Sequence, residues 1–206
     1  MNNSINNTTP FKANLAASAG KLKIYQINYN SDIEALVKLS ESTHFDKLMP
    51  QNTSQGNERW QEMLDYAIET AGYPGNVTYA AAYNNKLCGI ISYFPRPTTV
   101  IDCICTIPTE VGKKVKLAGK TLFLQVFKDF MEYRGSRINL SAITDGPYNT
   151  VEKYKSLGFI ETSEVTPTYV KMTANQHKIK ETLGELSKII PYKKEKPEKV
   201  NLNMLI

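Results

Sequence analysis

The stretch Thr106–Phe130, TIPTEVGKKVKLAGKTLFLQVFKDF, carries the clearest structural signal in the chain. It predicts the end of a strand, a turn rich in lysine and then an amphipathic helix. After Gly119, apolar residues recur at intervals of three or four, which is the spacing of one helix face. These positions are Leu122, Phe123, Val126, Phe127, Phe130 and Met131.

Lysines crowd the point where this helix begins. A helix N-terminus offers unpaired N–H groups and about half a positive charge, and Gly119 lets a ligand approach the backbone closely. The combination predicts an anion site, with phosphate as the favoured anion. A solvated lysine face without a ligand is the alternative that these residues leave open. The lysines are Lys113, Lys114, Lys116 and Lys120.

The same segment partly matches a nucleotide-binding P-loop. Gly119 to Thr121 read Gly-Lys-Thr, which would close a loop that needs another glycine five residues earlier. Lys114 occupies that position, and Gly112 lies too far upstream. The spacing therefore disfavours a P-loop nucleotide enzyme.

Composition and charge limit the class of protein. The chain has 206 residues, 41% of them hydrophobic, and a net charge of +5. This is typical of one globular domain with extensions. The excess charge is local, in the lysine-rich turn and in the tail over Lys188–Lys199. This pattern favours an anionic cofactor and disfavours a nucleic-acid partner.

Cysteine usage and the N-terminus predict the compartment. The three cysteines are an odd number, and the first twenty residues lack the basic and apolar segments of a signal peptide. We therefore expect a reducing, cytoplasmic location, although a translocation role for the N-terminal tail stays open. No apolar run approaches the roughly 20 residues of a membrane helix, so we expect no membrane partner.

The hydrophobic pattern predicts alternating helices and strands. Residues 1–20 are expected to be a disordered extension. The strand Thr98–Ile107 is β-branched and apolar on both faces, so it should lie centrally in the sheet. The other predicted strands are Lys21–Asn30, a hairpin over Asn76–Tyr93 that turns at Asn84-Asn85, Arg137–Ile143 and Glu164–Met172. The other predicted helices are Ser31–Ser42, Glu58–Thr70, Tyr148–Ser156 and Ala174–Ile189, followed by a mobile basic tail, Tyr192–Ile206.

This order, together with two motifs, resembles the GNAT superfamily of N-acetyltransferases. The first motif is the family's acetyl-CoA loop, Arg/Gln-x-x-Gly-x-Gly/Ala, which opens the helix after the fourth strand. Lys114, Leu117 and Gly119 fall at its positions, so Leu117 replaces the first glycine. A shifted register through Lys116, Gly119 and Thr121 fits the apolar stripe less well.

The second motif is YKSLGF, Tyr154–Phe159, which matches the family's Tyr-x-x-x-Gly-Phe. Upstream, Pro147 stands where the family has Asn, and Thr150 where it has a small Ala. Asn149 is the candidate to take over the pantetheine contact. The resemblance covers about Lys21–Thr173 and implies one GNAT-like domain over 21–173, with a helix and basic tail over 174–206.

The resemblance implies an α/β (α+β) fold with a mixed, mostly antiparallel sheet flanked by helices. The fourth and fifth strands, Thr98–Ile107 and Arg137–Ile143, should splay apart and bind the pantetheine arm along their free edges, Cys103–Ile107 and Leu140–Ile143. The residues expected at the cofactor are Cys105, Thr106, Ile107, Lys114, Val115, Lys116, Leu117, Ala118, Gly119, Lys120, Thr121 and Asn149.

The implied activity is direct acetyl transfer from acetyl-CoA to a primary amine, without metal or a covalent enzyme intermediate. The acceptor would be a peptide, a protein or a small molecule. Tyr154 is at the family's general-acid position, although a purely packing role is the alternative. Asp102, Glu110 and Asp145 are the candidate bases. Simple strand alternation would turn Asp102 away from the face of Cys103.

Three rival functions follow from other features. The missing loop glycine and Asn allow a non-catalytic acyl-CoA-binding module, and the basic loop and tail allow a toxin-like enzyme acting on aminoacyl-tRNA. A nucleophilic pair of Cys105 with His44 would indicate a hydrolase or a thiol acyltransferase. The spacing of Cys103 and Cys105 is not that of a zinc site, so buried core thiols are favoured. The predicted second helix carries three residues that are either part of the core or part of the surface that binds the acceptor in the family. They are Trp60, Met63 and Tyr66.

Overall fold

The computed structural model describes residues 13–28, 30–144 and 150–205. Asp145 and Asn149, predicted at the site, lie outside these residues, as does Pro147. The strands are β1 Ala13–Ala19, β2 Leu22–Ile27, β3 Val77–Tyr83, β4 Lys86–Phe94, β5 Thr98–Thr106, β6 Arg137–Ile143, β7 Ile160–Val165, β8 Tyr169–Asn175, β9 Tyr192–Lys194 and β10 Lys199–Val200. The helices are α1 Asn30–Ser42, α2 Phe45–Leu48, α3 Ser54–Ala71, α4 Ala118–Glu132, α5 Thr150–Lys155 and α6 Gln176–Ile189, and a 3-10 helix covers Leu202–Leu205.

Within the described residues, the ten strands form one sheet in the order β10-β1-β2-β3-β4-β5-β6-β8-β7, with β9 beside β1. The β5–β6 pair is parallel and the other pairs are antiparallel. One core lies between the sheet and α4 and α6, and a second lies on the opposite face beneath α1 and α3. This confirms the predicted α/β class with a mostly antiparallel sheet.

The predicted hairpin and long helix both form. Asn84 and Asn85 join β3 to β4 with φ of 49° and 60°, the left-handed backbone that a tight hairpin turn requires. In α4 the predicted stripe is buried except for Met131, which is half-buried. The helix therefore lies on the sheet along the face that its 3.6-residue period predicts.

The parallel pair β5–β6 is joined over a short distance. Thr98, Thr99 and Val100 pair with Arg137, Ile138 and Asn139, and no pairing continues beyond them. Both strands extend further: β5 stays paired with β4 as far as Thr106, and β6 stays paired with β8 as far as Ile143. The two strands therefore diverge, and the predicted splay is confirmed.

A β-bulge lies where the divergence begins. Tyr93 pairs with Ile101 and Ser92 with Cys103, so Asp102 is the extra residue on β5. Because of the extra residue, successive side chains no longer point to opposite faces of the sheet at this point. Asp102 accepts a hydrogen bond from Asn76, just beyond α3, and the Cys103 thiol donates to a carbonyl of α3. The expectation that Asp102 and Cys103 face opposite sides is therefore wrong.

The expected disorder at both ends is also wrong for the described residues. Ala13–Ala19 form β1, which pairs with β2 on one edge and with β9 and β10 on the other. Leu202 and Leu205 are buried in the α1–α3 core. Composition alone predicted disorder because β1 holds mainly alanine and other small residues. The structure pairs it on both edges, in a hairpin with β2 and with the distant strands β9 and β10. Residues 1–12 lie outside the described ranges.

A buried hydrogen-bond network fixes α4 on the sheet. The hydroxyls of Tyr79 and Tyr93 each donate to Asp129 Oδ2 at 2.7 Å, and Gln125 Nε2 donates to Oδ1 at 2.8 Å. The hydroxyl of Tyr192, on β9, donates to Gln125 Oε1 at 2.6 Å. Burial raises the pKa of Asp129, and the hydrogen bonds that it accepts from Tyr79, Tyr93 and Gln125 oppose the rise. The C-terminal segment is thereby tied to α4.

Among the described helices, none combines the length and the apolar character that crossing a membrane requires.

Candidate functional site

The gap between β5 and β6 is the candidate site. On β4's side, Ile107 N–H donates to the Cys88 carbonyl at 2.9 Å. In antiparallel pairing, backbone groups point toward the partner at every second residue, so Cys105 also faces β4. The N–H and C=O groups of Ile104 and Thr106 consequently face the gap.

This alternation changes the predicted list of contacts. The N–H and C=O groups of Thr106 face the gap. Cys105 and Ile107 turn their backbone groups to β4 and are buried. Ile104 takes their place at the open edge. The predicted free edge Cys103–Ile107 contains Ile104, and the period of two along a strand singles it out once one pairing is known.

The lysine-rich turn leads from β5 to the N-terminus of α4. The turn Glu110–Lys113 closes on itself, and Gly112 N–H donates to the Leu48 carbonyl at 2.7 Å. The chain then reaches Leu117, which precedes α4 with φ 68° and ψ −1°. Left-handed backbone is costly for leucine and easy for glycine. Leu117 is the position at which the first motif carries its first glycine.

The start of α4 presents unpaired donors next to the gap. Gly119 and Lys120 donate no backbone hydrogen bond to any partner in the described part of the chain. A Cβ on Gly119 would lie 3.5 Å from Thr106 Cγ2 and 4.0 Å from Ile104 Cδ1. The helix N-terminus thus adjoins the open edge of β5. Free N–H groups at this point fit an anion such as a phosphate.

The four predicted lysines do not act as one group. Lys113 pairs with Glu110 at 2.9 Å in the exposed turn. The ammonium of Lys114 lies 4.3 Å from the centroid of Trp60, on the α3 face of the sheet and so opposite α4. Lys116 and Lys120 are exposed beside the start of α4. An anion at that helix start would therefore be near Lys116 and Lys120.

Tyr154 lies at the gap, opposite β5. Its ring packs edge-on against Phe123 at 5.8 Å and Phe159 at 6.2 Å. Burial raises its pKa, and the nearby Cys103 thiol raises it further. Its hydroxyl makes no hydrogen bond with the residues that the structure describes. Tyr154 is therefore a protonated phenol that reaches from the α4 core toward a residue on the α3 face of β5.

The candidate bases differ in environment. Asp102 is half-buried and accepts a hydrogen bond from Asn76 Nδ2 at 2.8 Å. Burial raises the pKa of Asp102, and the Asn76 hydrogen bond opposes this rise. Glu110 is exposed, and Lys113 lowers its pKa through a hydrogen bond and charge. The third candidate, Asp145, lies outside the described residues.

The cysteines are placed as core thiols. Burial raises the pKa of Cys103 to about 12, and it raises the pKa of Cys105 well above its ordinary value. Protonated thiols are poor nucleophiles and poor metal ligands, which disfavours the hydrolase alternative. His177 is on the surface of α6, paired with Glu181 at 3.1 Å. Within the described ranges, no cluster of three or more His, Cys, Asp or Glu side chains could hold a metal ion.

No family model and no curated protein matches the sequence, whereas many solved structures match the fold. PaiA N-acetyltransferase from Thermoplasma acidophilum, solved in complex with coenzyme A, is 14% identical with a TM-score of 0.50; the match covers 74% of this chain and 98% of that one. The ribosomal-protein-S18-alanine N-acetyltransferase from Escherichia coli is 11% identical with a TM-score of 0.50, over 75% and 93%. FdhC, a nucleotide-linked sugar GNAT, is 14% identical with a TM-score of 0.54, over 84% and 96%.

These similarities define the architecture. The chain has the GNAT fold, and its strand β1 pairs with the C-terminal strands β9 and β10. At 11–14% identity the likeness is one of fold.

Proposed function

We propose that this protein is an acetyl-CoA-dependent N-acetyltransferase that transfers an acetyl group directly to a primary amine. The observation that carries the proposal is the gap between β5 and β6. Unpaired helix N–H groups meet it on the α4 side, and the buried Tyr154, whose pKa is raised by burial and by Cys103 of β5, lies in the adjoining α4 core. PaiA, a protein of the same fold, was solved with coenzyme A, which supports the choice of donor.

The donor fits the polar groups that the gap leaves unpaired. The N–H groups of Gly119 and Lys120 would hold the pyrophosphate, with Lys116 and Lys120 supplying positive charge. The backbone of Ile104 and Thr106 would pair with the pantetheine amides as an added strand. The thioester would then lie near Tyr154. Val115, Leu117, Ala118 and Thr121 would shape the loop around the pyrophosphate.

The two reactants' proton-transfer partners would lie on opposite faces of the sheet, the amine on the α3 face and the proton donor Tyr154 on the α4 side. A neutral amine arriving from the α3 face attacks the thioester carbonyl, and the carbon–sulfur bond breaks as the new carbon–nitrogen bond forms. Tyr154 donates its proton to the departing sulfur. Because burial keeps the phenol protonated at neutral pH, the proton moves only when negative charge develops on a sulfur within hydrogen-bond distance.

The proton lost by the amine needs an acceptor on the α3 face. Asp102 is the better placed of the two described candidates, because it is half-buried on that face and its pKa is raised. A raised pKa makes a carboxylate a stronger base. Glu110 is a weaker candidate, since it is exposed and paired with Lys113. Asp102 would accept the proton directly or through a water molecule.

Binding and turnover together test this proposal. Calorimetry with acetyl-CoA and desulfo-CoA measures donor binding, and a thiol-release assay over a panel of peptide and small-molecule amines measures transfer. We expect binding of both CoA compounds and thiol release that depends on an amine. Donor binding without release on any amine would instead favour the non-catalytic acyl-CoA-binding module. Failure to bind either CoA compound would reject both.

A further inference from the structure

The side chain of Asn76 joins the end of α3 to the bulged residue of β5. Its Nδ2 group donates to the Thr70 carbonyl, in the last turn of α3, at 2.8 Å and to Asp102 Oδ2 at 2.8 Å. Ser92 Oγ lies 3.2 Å from the same nitrogen. One amide group therefore holds both the helix end and the carboxylate of Asp102.

The main chain fixes the position of Asn76 without help from Asp102. The N–H group of Asn76 donates to the Tyr73 carbonyl at 3.1 Å. Gly75, the preceding residue, has φ of 85°, and a Cβ there would lie 2.7 Å from a ring carbon of Phe94. Glycine meets both conditions easily. The turn therefore places the amide, and Asp102 is the group that the amide holds.

Asp102 lies where β5 and β6 diverge. The last pair that joins these two strands is Val100 with Asn139, and Asp102 follows two residues later. Its Oδ2 atom accepts the Asn76 hydrogen bond, whereas Oδ1 accepts none from the residues that the structure describes. The side chain is half-buried. One oxygen is therefore held, and the other remains able to accept a proton.

We propose that Asn76 is a positioning residue that holds Asp102 Oδ2, so that Oδ1 accepts the proton of an amine entering from the α3 face. This deepens the proposed function and rests on it. As the carbon–nitrogen bond forms, the nitrogen loses one proton to Oδ1, directly or through a water molecule. Asn76 keeps both of its N–H protons throughout. A carboxylate that is already held at one oxygen has less orientational freedom to lose when the amine arrives.

The Asn76 hydrogen bond also affects the basicity of Asp102. Burial raises the pKa of Asp102, and the hydrogen bond from Asn76 opposes this rise. The titratable groups around Asp102 are Tyr66 and Glu69 on α3, Tyr73 in the next turn and Cys103 on β5. The phenols and the thiol have raised pKa values and stay neutral where a carboxylate titrates, and Glu69 accepts the Tyr73 hydroxyl at 2.7 Å. Loss of the Asn76 hydrogen bond should therefore raise the pKa of Asp102 and reduce activity most at acidic pH.

The alternative role for Asn76 is to cap α3 through the Thr70 carbonyl. Ser92 separates the two roles, because its hydroxyl donates to the same carbonyl at 3.1 Å. Within the described ranges, Ser92 makes no hydrogen bond to Asp102. Ser92→Ala is therefore the matched control: it weakens the end of α3 and leaves the bond between Asn76 and Asp102 in place.

The experiment measures kcat/KM by thiol release on the full chain, at saturating acetyl-CoA and between about pH 5.5 and about pH 8.5. The acceptor is the most reactive amine of the panel described above. The ratio of variant to parent at each pH cancels the ionisation of the amine. For Asn76→Ala this ratio should be about fivefold lower at the acidic end of the range than at the alkaline end. Asn76→Asp, which keeps the shape and adds a carboxylate, should lose more at the acidic end.

A double-mutant cycle shows whether Asn76 acts through Asp102. Asp102→Asn should lower kcat by at least about tenfold, because it removes the base. In that background, Asn76→Ala should change kcat/KM by less than about twofold at any pH. Ser92→Ala should lower the midpoint of thermal unfolding and give a ratio that does not vary with pH.

The other outcomes contradict the inference. A ratio for Asn76→Ala that does not vary with pH, or effects that add in the Asp102→Asn background, would make Asn76 only a cap of α3. A pH-dependent ratio in Ser92→Ala would assign the effect to local disruption of the structure. Full activity in Asp102→Asn would remove the base and this inference together, while acetyl transfer itself would stand. A chain that binds no CoA, or releases no thiol with any amine, would overturn the proposed function instead, so the two failures are distinguishable.

Discussion

The two edges of β5 differ although they belong to one strand. Toward β4, pairing runs from Val100 to Thr106, interrupted by one bulge. Toward β6, pairing stops after three residues. The closed edge stabilises the fold, and the open edge leaves backbone donors and acceptors available to a ligand. The open edge therefore offers a ligand hydrogen bonds that the sheet itself leaves unmade.

The most severe loss is expected at the phenol that faces the open edge. Tyr154→Phe should lower kcat by about 100-fold or more, because a general acid typically contributes that much, and should leave CoA affinity within about twofold. Thiol-release kinetics and calorimetry measure the two quantities. Phe123→Leu, in the packing partner of the ring, is the control for a purely structural effect. A strong loss of CoA binding in Tyr154→Phe would make Tyr154 a packing residue.

A charge at the helix start should affect binding rather than chemistry. Gly119→Asp should weaken CoA binding by more than about tenfold, since it adds a carboxylate beside the pyrophosphate. Gly184→Asp is the matched control, because a Cβ at Gly184 meets no atom within 4 Å. Gly119→Ala should be tolerated, as its Cβ would make an ordinary contact at 3.5 Å. Unchanged affinity in Gly119→Asp would place the pyrophosphate elsewhere.

Proline at adjacent positions tests the two edges directly. Thr106→Pro removes an N–H that faces the gap, so CoA affinity should fall about fivefold with little change in thermal stability. Ile107→Pro removes the N–H that donates to the Cys88 carbonyl and should cost about 2–4 kcal/mol of stability. Calorimetry measures the CoA affinity of each variant, and thermal unfolding measures its stability. The assignment of the edges would be reversed if Thr106→Pro were the destabilising variant.

The smallest effect is expected at the left-handed residue before α4. Leu117→Gly relieves about 1 kcal/mol of backbone strain but loses a half-buried side chain, so its stability should stay within about 1 kcal/mol of the parent. Its CoA affinity should rise a few fold, as glycine opens the backbone to the phosphate. Leu122→Gly, in the buried stripe, should instead lose several kcal/mol. Weaker CoA binding in Leu117→Gly would mean that the leucine side chain contacts the donor.

Local patterns predicted much of this molecule. The stripe of α4 and the Asn84-Asn85 turn are both present, and so is the splay of β5 and β6, which the family resemblance implied and local patterns did not. The predicted strand at Glu164–Met172 fell across two strands, β7 and β8, joined at residues 166–168, because β-branched residues and threonines continue through the turn. The roles of Tyr154 and of the loop residues stay predictions that the variants above test.

The period of the apolar residues within each helix or strand could be read from the amino acids, because it reflects which side of that element faces a core. Which other elements it pairs with or packs against could not be read in this way. Ala13–Ala19 form a strand that pairs with the neighbouring β2 on one edge and with the C-terminal strands β9 and β10 on the other, and this second edge was not visible in the local sequence. The bulge at Asp102, the turn of Lys114 toward Trp60 and the N–H groups left facing the gap likewise depend on neighbours distant in sequence. Pairing between remote strands sets which side of β5 is open, and no local pattern records it.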